Sequence, residues 1–154
     1  MLLLLLLLCV VVGLGAITWR ADPACVARRT AHRLRRTLLS SPTLRRTHPD
    51  VYAALETWHI RPCTTVSHTD PAARTIHLVL LDHRHDAYDA NTLVRVLAHE
   101  ACHAAGNLNH DAEFFHKQDQ CLAALAADGI LDVAAPLDTL YPAFILPDDV
   151  APSI

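Results

Sequence analysis

His99-Glu100-Ala101-Cys102-His103, followed seven residues later by His110, is the stretch of this chain whose residue types and spacing could do chemistry. On a helix, residues four apart stack on one face, so His99 and His103 can present two imidazole nitrogens to one metal ion. Glu100 stands about 100° further round and can reach a water on that ion. This is the HExxH arrangement of zinc hydrolases. The chain has 11 histidines but only three glutamates, Glu56, Glu100 and Glu113. At such frequencies the pentad arises by chance in roughly 1–2% of shuffled chains. The plainer alternative is a buried structural histidine pair.

The pentad must be carried by an element that holds it still. Leu93, Val94, Val96, Leu97, Ala98 and Ala101 recur at helical spacing, which predicts a helix over 91–105. Asp89 or Asn91 would cap its start, and Gly106-Asn107 would end it. Asp111 is the expected N-cap of a second helix, whose stripe of Phe114, Phe115, Cys121, Leu122, Leu125 and Ala126 should stop near Gly129. His110 lies at the mouth of that helix, where it can close the metal site. Glu113, Asp119 and His116 are weaker candidates, and His77, His83 and His85 read as solvated histidines before extra ligands.

Upstream, Val51 to Trp58 predicts a short helix and Pro62 a break. Thr64 to His68 and Thr75 to Leu81 are the strand candidates, expected to pair across Asp70-Pro71. The prolines at 136, 142, 147 and 152 predict a loop wrapped over the domain and an irregular tail.

The N-terminus reads differently. Leu2 to Trp19 contains no charge, and as a helix it would reach about 27 Å, enough to cross a hydrocarbon core. Nothing basic precedes it, and the small-residue cleavage sites near Gly15 and Ala16 are weak, so an uncleaved anchor is favoured over a secretory signal. Arg20, Arg28, Arg29, Arg33, Arg35, Arg36, Arg45 and Arg46 follow, with only Asp22 before Asp50. Such a bias keeps the following domain in the cytosol, with the N-terminus outside. The alternative is secretion after cleavage. An amphipathic helix is expected over 24–39, ended by Ser40-Ser41-Pro42. The arginines orient the anchor and can touch anionic lipid; nucleic-acid binding is disfavoured, because the net charge is −3. Five cysteines, an odd number without CxxC spacing, argue against both a cysteine zinc knuckle and a disulfide framework.

The expected fold is therefore α+β. A transmembrane helix (1–19) and an Arg-rich juxtamembrane segment (20–48) precede a zincin-like domain (49–146), in which a short β-sheet packs on the HExxH helix and a second helix. An irregular tail (147–154) ends the chain.

Three signals in order, Ile76-His-Leu-Val-Leu-Leu, Tyr88-Asp-Ala-Asn-Thr-Leu-Val-Arg-Val-Leu-Ala-His-Glu-Ala-Cys-His and Asn109-His-Asp-Ala-Glu-Phe-Phe, resemble the small WLM/SprT-like zinc metallopeptidases. The likeness is greatest to the minimal, N-terminally anchored versions encoded by large DNA viruses. It covers roughly residues 49 to 146, including Gly129-Ile130-Leu131-Asp132. Leu-Ala within the family's pentad is Ala101-Cys102 here, and Asn109 replaces the glycine before the third histidine. The resemblance implies zinc on His99, His103 and His110, with Glu100 as general base. It also implies a peptide substrate lying extended beside Ile76 to Leu81. Metzincins fit less well: their ligand position falls on Asn109, and the only methionine is Met1. The thermolysin pattern would need Glu113, which follows too closely.

Three neutral imidazoles leave zinc its full charge and one open position, at which the pKa of a bound water falls to about 7. Glu100 would take that proton and pass it to the departing amine. Tyr88, His116 and Tyr141 are candidates for a further oxyanion donor. The expected protein is thus a membrane-anchored, single-pass zinc metallopeptidase. A non-catalytic zinc-stabilised scaffold is the alternative, disfavoured by Glu100, which a closed structural site would not need. A third reading makes the arginine segment the functional part, as a lipid- or nucleic-acid-binding arm.

Overall fold

Among the described residues, proline opens each of the first three helices, at the position where its missing N–H costs nothing and its fixed φ is already helical. Helix α1 (Pro23–Leu39) starts behind the capping side chain of Asp22, α2 (Pro42–Thr47) behind Ser41, and α3 (Pro49–Thr57) follows directly. The computed structural model describes residues 22–106, 109–138 and 141. Three strands come next: β1 (His59–Cys63), β2 (His68–Asp70) and β3 (Thr75–Val79). Helices α4 (Ala90–Ala104) and α5 (Ala112–Ala127) complete the set, capped by Asp89 and Asp111 respectively.

The sheet order is β1-β3-β2, with β1 parallel and β2 antiparallel to β3. β3 is buried at four of its five positions, and Ile76, Leu78 and Val79 are its apolar residues. Two expectations shift. The strand foreseen at 64–68 gives way to β2, which overlaps it only at His68, and β1 was hidden by Pro62, which a central strand would reject but an edge strand accommodates.

The α+β class stands, but its transmembrane helix does not. Residues 2–19 lie outside the described residues, and among the described residues no helix is long and apolar enough to cross a membrane. The longest, α1, has 17 residues and carries five arginines, so its apolar residues make only a stripe. The single-pass membrane assignment is corrected accordingly: no described helix supports it.

The core does not begin at residue 49 either. Ala27, Ala31, Leu34 and Leu38 of α1 are buried in the same hydrophobic cluster as Ile76 of β3, Leu97 of α4 and Leu125 of α5. Arg28, Arg29, Arg33 and Arg36 occupy the opposite, exposed face. The segment read as juxtamembrane is therefore a wall of the domain. Its opposite end is tied down by Asp128 at the C-cap of α5, whose carboxylate accepts hydrogen bonds from Ser41 Oγ and from the backbone N–H and hydroxyl of Thr43.

Leu38 is fully buried. Leu38→Ala should lower unfolding free energy by about 2–5 kcal/mol, since it removes buried carbons and leaves a cavity. Urea denaturation checks this, and an unchanged midpoint would show that α1 is an appendage.

Candidate metal centre

Helix α4 is buried along almost its whole length, from Thr92 to His103, because the sheet covers one side and α5 another. His99 and His103 stack on its α5 side. At the end of α4, Gly106 adopts φ 107°, a left-handed conformation that glycine takes without strain. The chain then returns to Asp111, whose carboxylate accepts from Phe114 N–H at 2.8 Å. His110, one residue before that cap, is thereby aimed back at α4. His99 and His103 are buried, and His110 is exposed.

The three Nε2 atoms stand 3.2 Å (His99–His103), 3.1 Å (His103–His110) and 3.1 Å (His99–His110) apart. A neutral imidazole nitrogen carries either a proton or a lone pair, so three cannot all satisfy one another. Nitrogens ligated at about 2.0–2.1 Å to one tetrahedral ion stand about 3.3 Å apart. The donor set fits a metal ion: His99, His103 and His110 lie close enough to hold one together.

Around this triad the second helix does two jobs. Gln118 Oε1 lies 2.6 Å from His99 Nδ1, which assigns the proton to Nδ1 and leaves Nε2 as the lone-pair donor. Burial pushes the His99 pKa down to about 4, keeping the ring neutral. Phe114 stacks on His103 at 4.3 Å and meets His99 and His110 edge-on at 4.9 and 5.0 Å, so a single fully buried ring buttresses all three ligands. Gln118→Leu keeps the packing but frees His99 to rotate or change tautomer. Metal affinity should fall about 10–100-fold, read by competition with a chromophoric chelator.

Glu100 is 5% exposed. Its carboxylate accepts from the Thr69 hydroxyl at 2.7 Å, and the same hydroxyl lies 3.0 Å from the Glu100 carbonyl oxygen. Burial pushes the Glu100 pKa up to about 7, against the lowering effect of that hydrogen bond. The Tyr141 hydroxyl sits 2.6 Å from Ser67 Oγ, which in turn accepts from Val79 N–H at 3.0 Å. Burial, with smaller contributions from Cys63 and Glu100, raises Tyr141 to about 12, so the phenol keeps its proton.

The other candidates fall elsewhere. His77 stacks on His68 across the sheet at 4.5 Å, His83 and His85 stand on an exposed loop, and His116 pairs with Gln120 on the outer face of α5. Glu113 and Asp119 are exposed, and Cys102 packs against Cys121 with the sulfurs 3.8 Å apart. Of the oxyanion candidates, Tyr141 is influenced by Glu100, and Tyr88 by Asp82 and Asp138. The open edge expected along Ile76 to Leu81 is absent. β1 and β2 flank the strand, Val79 N–H is taken by Ser67, Leu80 O by Tyr88 N–H, and Leu81 bridges to Ala87.

Gln118 and Thr69 are the site residues that sequence reasoning missed. Gln118 had a signal, as the one polar residue in the buried stripe Phe114, Gln118, Cys121, Leu125 of α5. Thr69 had none, because its reach to Glu100 depends on strand register. No protein-family model, no curated protein and no solved structure matches the chain.

Proposed function

We propose that this chain is a zinc-dependent metallopeptidase. The observation that carries the reading is the convergence of three Nε2 atoms within 3.1–3.2 Å of one another, next to a buried glutamate held by its own hydrogen bond. Zinc suits an all-imidazole set, where it would supply a Lewis acid that activates water and polarises a carbonyl. His99, His103 and His110 would hold it, with Gln118 fixing the tautomer of the first. Glu100 would accept the proton of the attacking water and hand it to the departing amine. Thr69 orients the carboxylate for that transfer, Phe114 keeps bulk water from the ligands' flank, and the protonated Tyr141 hydroxyl is a candidate donor to the developing oxyanion. The sequence likeness to WLM/SprT-like peptidases is what points to peptide bonds. β1 and β2 are the sheet's edge strands, and a peptide adding at β2 would lie along the strand that carries Thr69.

Incubating the zinc-loaded full chain with a peptide library, read by mass spectrometry, tests this. Cleavage that a chelator abolishes and added zinc restores is expected; a zinc-loaded protein that cuts nothing would count against it. Thr69→Val should retain zinc and lower kcat by about tenfold or more, as expected for losing a hydrogen bond to a charged group. Steady-state kinetics with metal analysis separates that loss from demetallation.

A further inference from the structure

Helix α1 carries its charge on one side. Arg28, Arg29, Arg33 and Arg36 are exposed and fall at helical spacing in a single stripe, about 12 Å from the first Cα to the last. Past the Ser40-Ser41 turn, α2 adds Arg45 and Arg46, which are exposed as well. Two shallow depressions meet at Ser40, one lined by Arg33 and Arg36 and the other by Arg45 and Arg46, so both helices contribute to one surface. Residues 23–49 hold seven arginines and no acid in a chain whose net charge is −3. Positive charge is thus gathered here, and the rest of the chain is acidic.

The packing of the domain does not use up these charges. Arg35, the seventh arginine, donates to the Glu56 carbonyl. Among the described residues no ion pair joins any of the other six to a carboxylate, and Asp128, on which the Arg46 charge acts, already accepts from Ser41 and Thr43. We propose that this α1–α2 face docks flat on an anionic phospholipid surface. A cluster of six arginines on one face matches the charge of such a surface, which relieves their mutual repulsion. The contact is electrostatic and peripheral, because the apolar side of α1, Ala27, Ala31, Leu34 and Leu38, is already buried in the core and leaves nothing to insert. Nucleic acid fits less well. The stripe lies on the convex side of a helix and not in a groove, and no free aromatic ring stands beside it to stack a base: Tyr52 lies under Arg45, and its hydroxyl donates to the Leu39 carbonyl. This face shares no residue with the metal centre.

Co-sedimentation of the full chain with vesicles tests this, comparing one-third phosphatidylserine in phosphatidylcholine with phosphatidylcholine alone. Binding to the anionic vesicles should be at least about a hundredfold stronger in about 0.1 M NaCl, an advantage that should largely vanish in about 0.5 M NaCl. Arg33→Gln/Arg36→Gln should weaken binding to the anionic vesicles by about 20–30-fold, since each arginine near such a surface contributes about fivefold. Arg28→Gln/Arg29→Gln, at the other end of the stripe, should do the same, so the result does not hang on one pair folding normally. Arg61→Gln/Arg84→Gln removes equal charge from exposed positions off α1 and α2 and should change binding less than twofold. Equal binding to both vesicle types, an advantage that persists in high salt, or an equal loss in the Arg61/Arg84 pair would overturn the proposal. A short DNA duplex bound more tightly than the anionic vesicles, through the same arginines, would overturn it too and assign the face to nucleic acid.

Discussion

His110→Ala should abolish tight metal binding, while His116→Ala, six residues further on, should leave it intact. Each histidine of a three-ligand set contributes several kcal/mol, so losing one weakens binding by about a thousandfold or more. His110 is the informative position because it is exposed and lies off helix α4. Its removal therefore disturbs little packing, whereas His99 and His103 are buried against Phe114 and their loss would mix metal effects with core effects. His116 pairs with Gln120 on the outer face of the same α5 helix and controls for general loss of imidazole. Competition titration against a chromophoric chelator measures both variants. Retained affinity in His110→Ala with loss in His116→Ala would move the third ligand into α5 and dissolve the centre described above.

Glu100→Gln should leave a folded, zinc-loaded protein that turns over about 10²–10⁴-fold more slowly than wild type, the range typical for losing a general base. The amide keeps the shape of the side chain. It can still meet the Thr69 hydroxyl through its carbonyl oxygen, so β2 and α4 should stay joined. It cannot accept a proton from the attacking water. Burial already disfavours the charged carboxylate, so the neutral amide should not lower thermal stability. Kinetics, zinc content and a melting curve on the same sample check all three statements. Equal turnover by variant and wild type would remove Glu100 from the mechanism.

The helix that carries the pentad was legible almost to the residue, predicted over 91–105 and found as Ala90–Ala104, because its apolar residues repeat with one helical period and Asp89 caps it. Helix α5 was legible for the same reason, from its Asp111 cap to its stop at Gly129. The convergence of His99, His103 and His110 followed from spacing plus one turn. The sheet was harder. Proline normally ends a strand, so β1 stayed hidden until its edge position explained Pro62. Helix α1 was foreseen, but its place was not: arginines next to an apolar run imitate a juxtamembrane segment, and only packing reveals that Ala27, Ala31, Leu34 and Leu38 belong to the core. Thr69 reaches Glu100 through strand register and Tyr141 reaches Ser67 through a long return of the chain, and a linear pattern carries neither.

An open coordination position beside Glu100 is the feature on which the hydrolase reading depends, and X-ray absorption at the zinc edge of the loaded full chain measures it. One zinc per chain with three imidazole nitrogens at about 2.0–2.1 Å and one exchangeable oxygen is the predicted result. A zinc closed by four protein ligands would contradict it and leave a structural metal site in a scaffold.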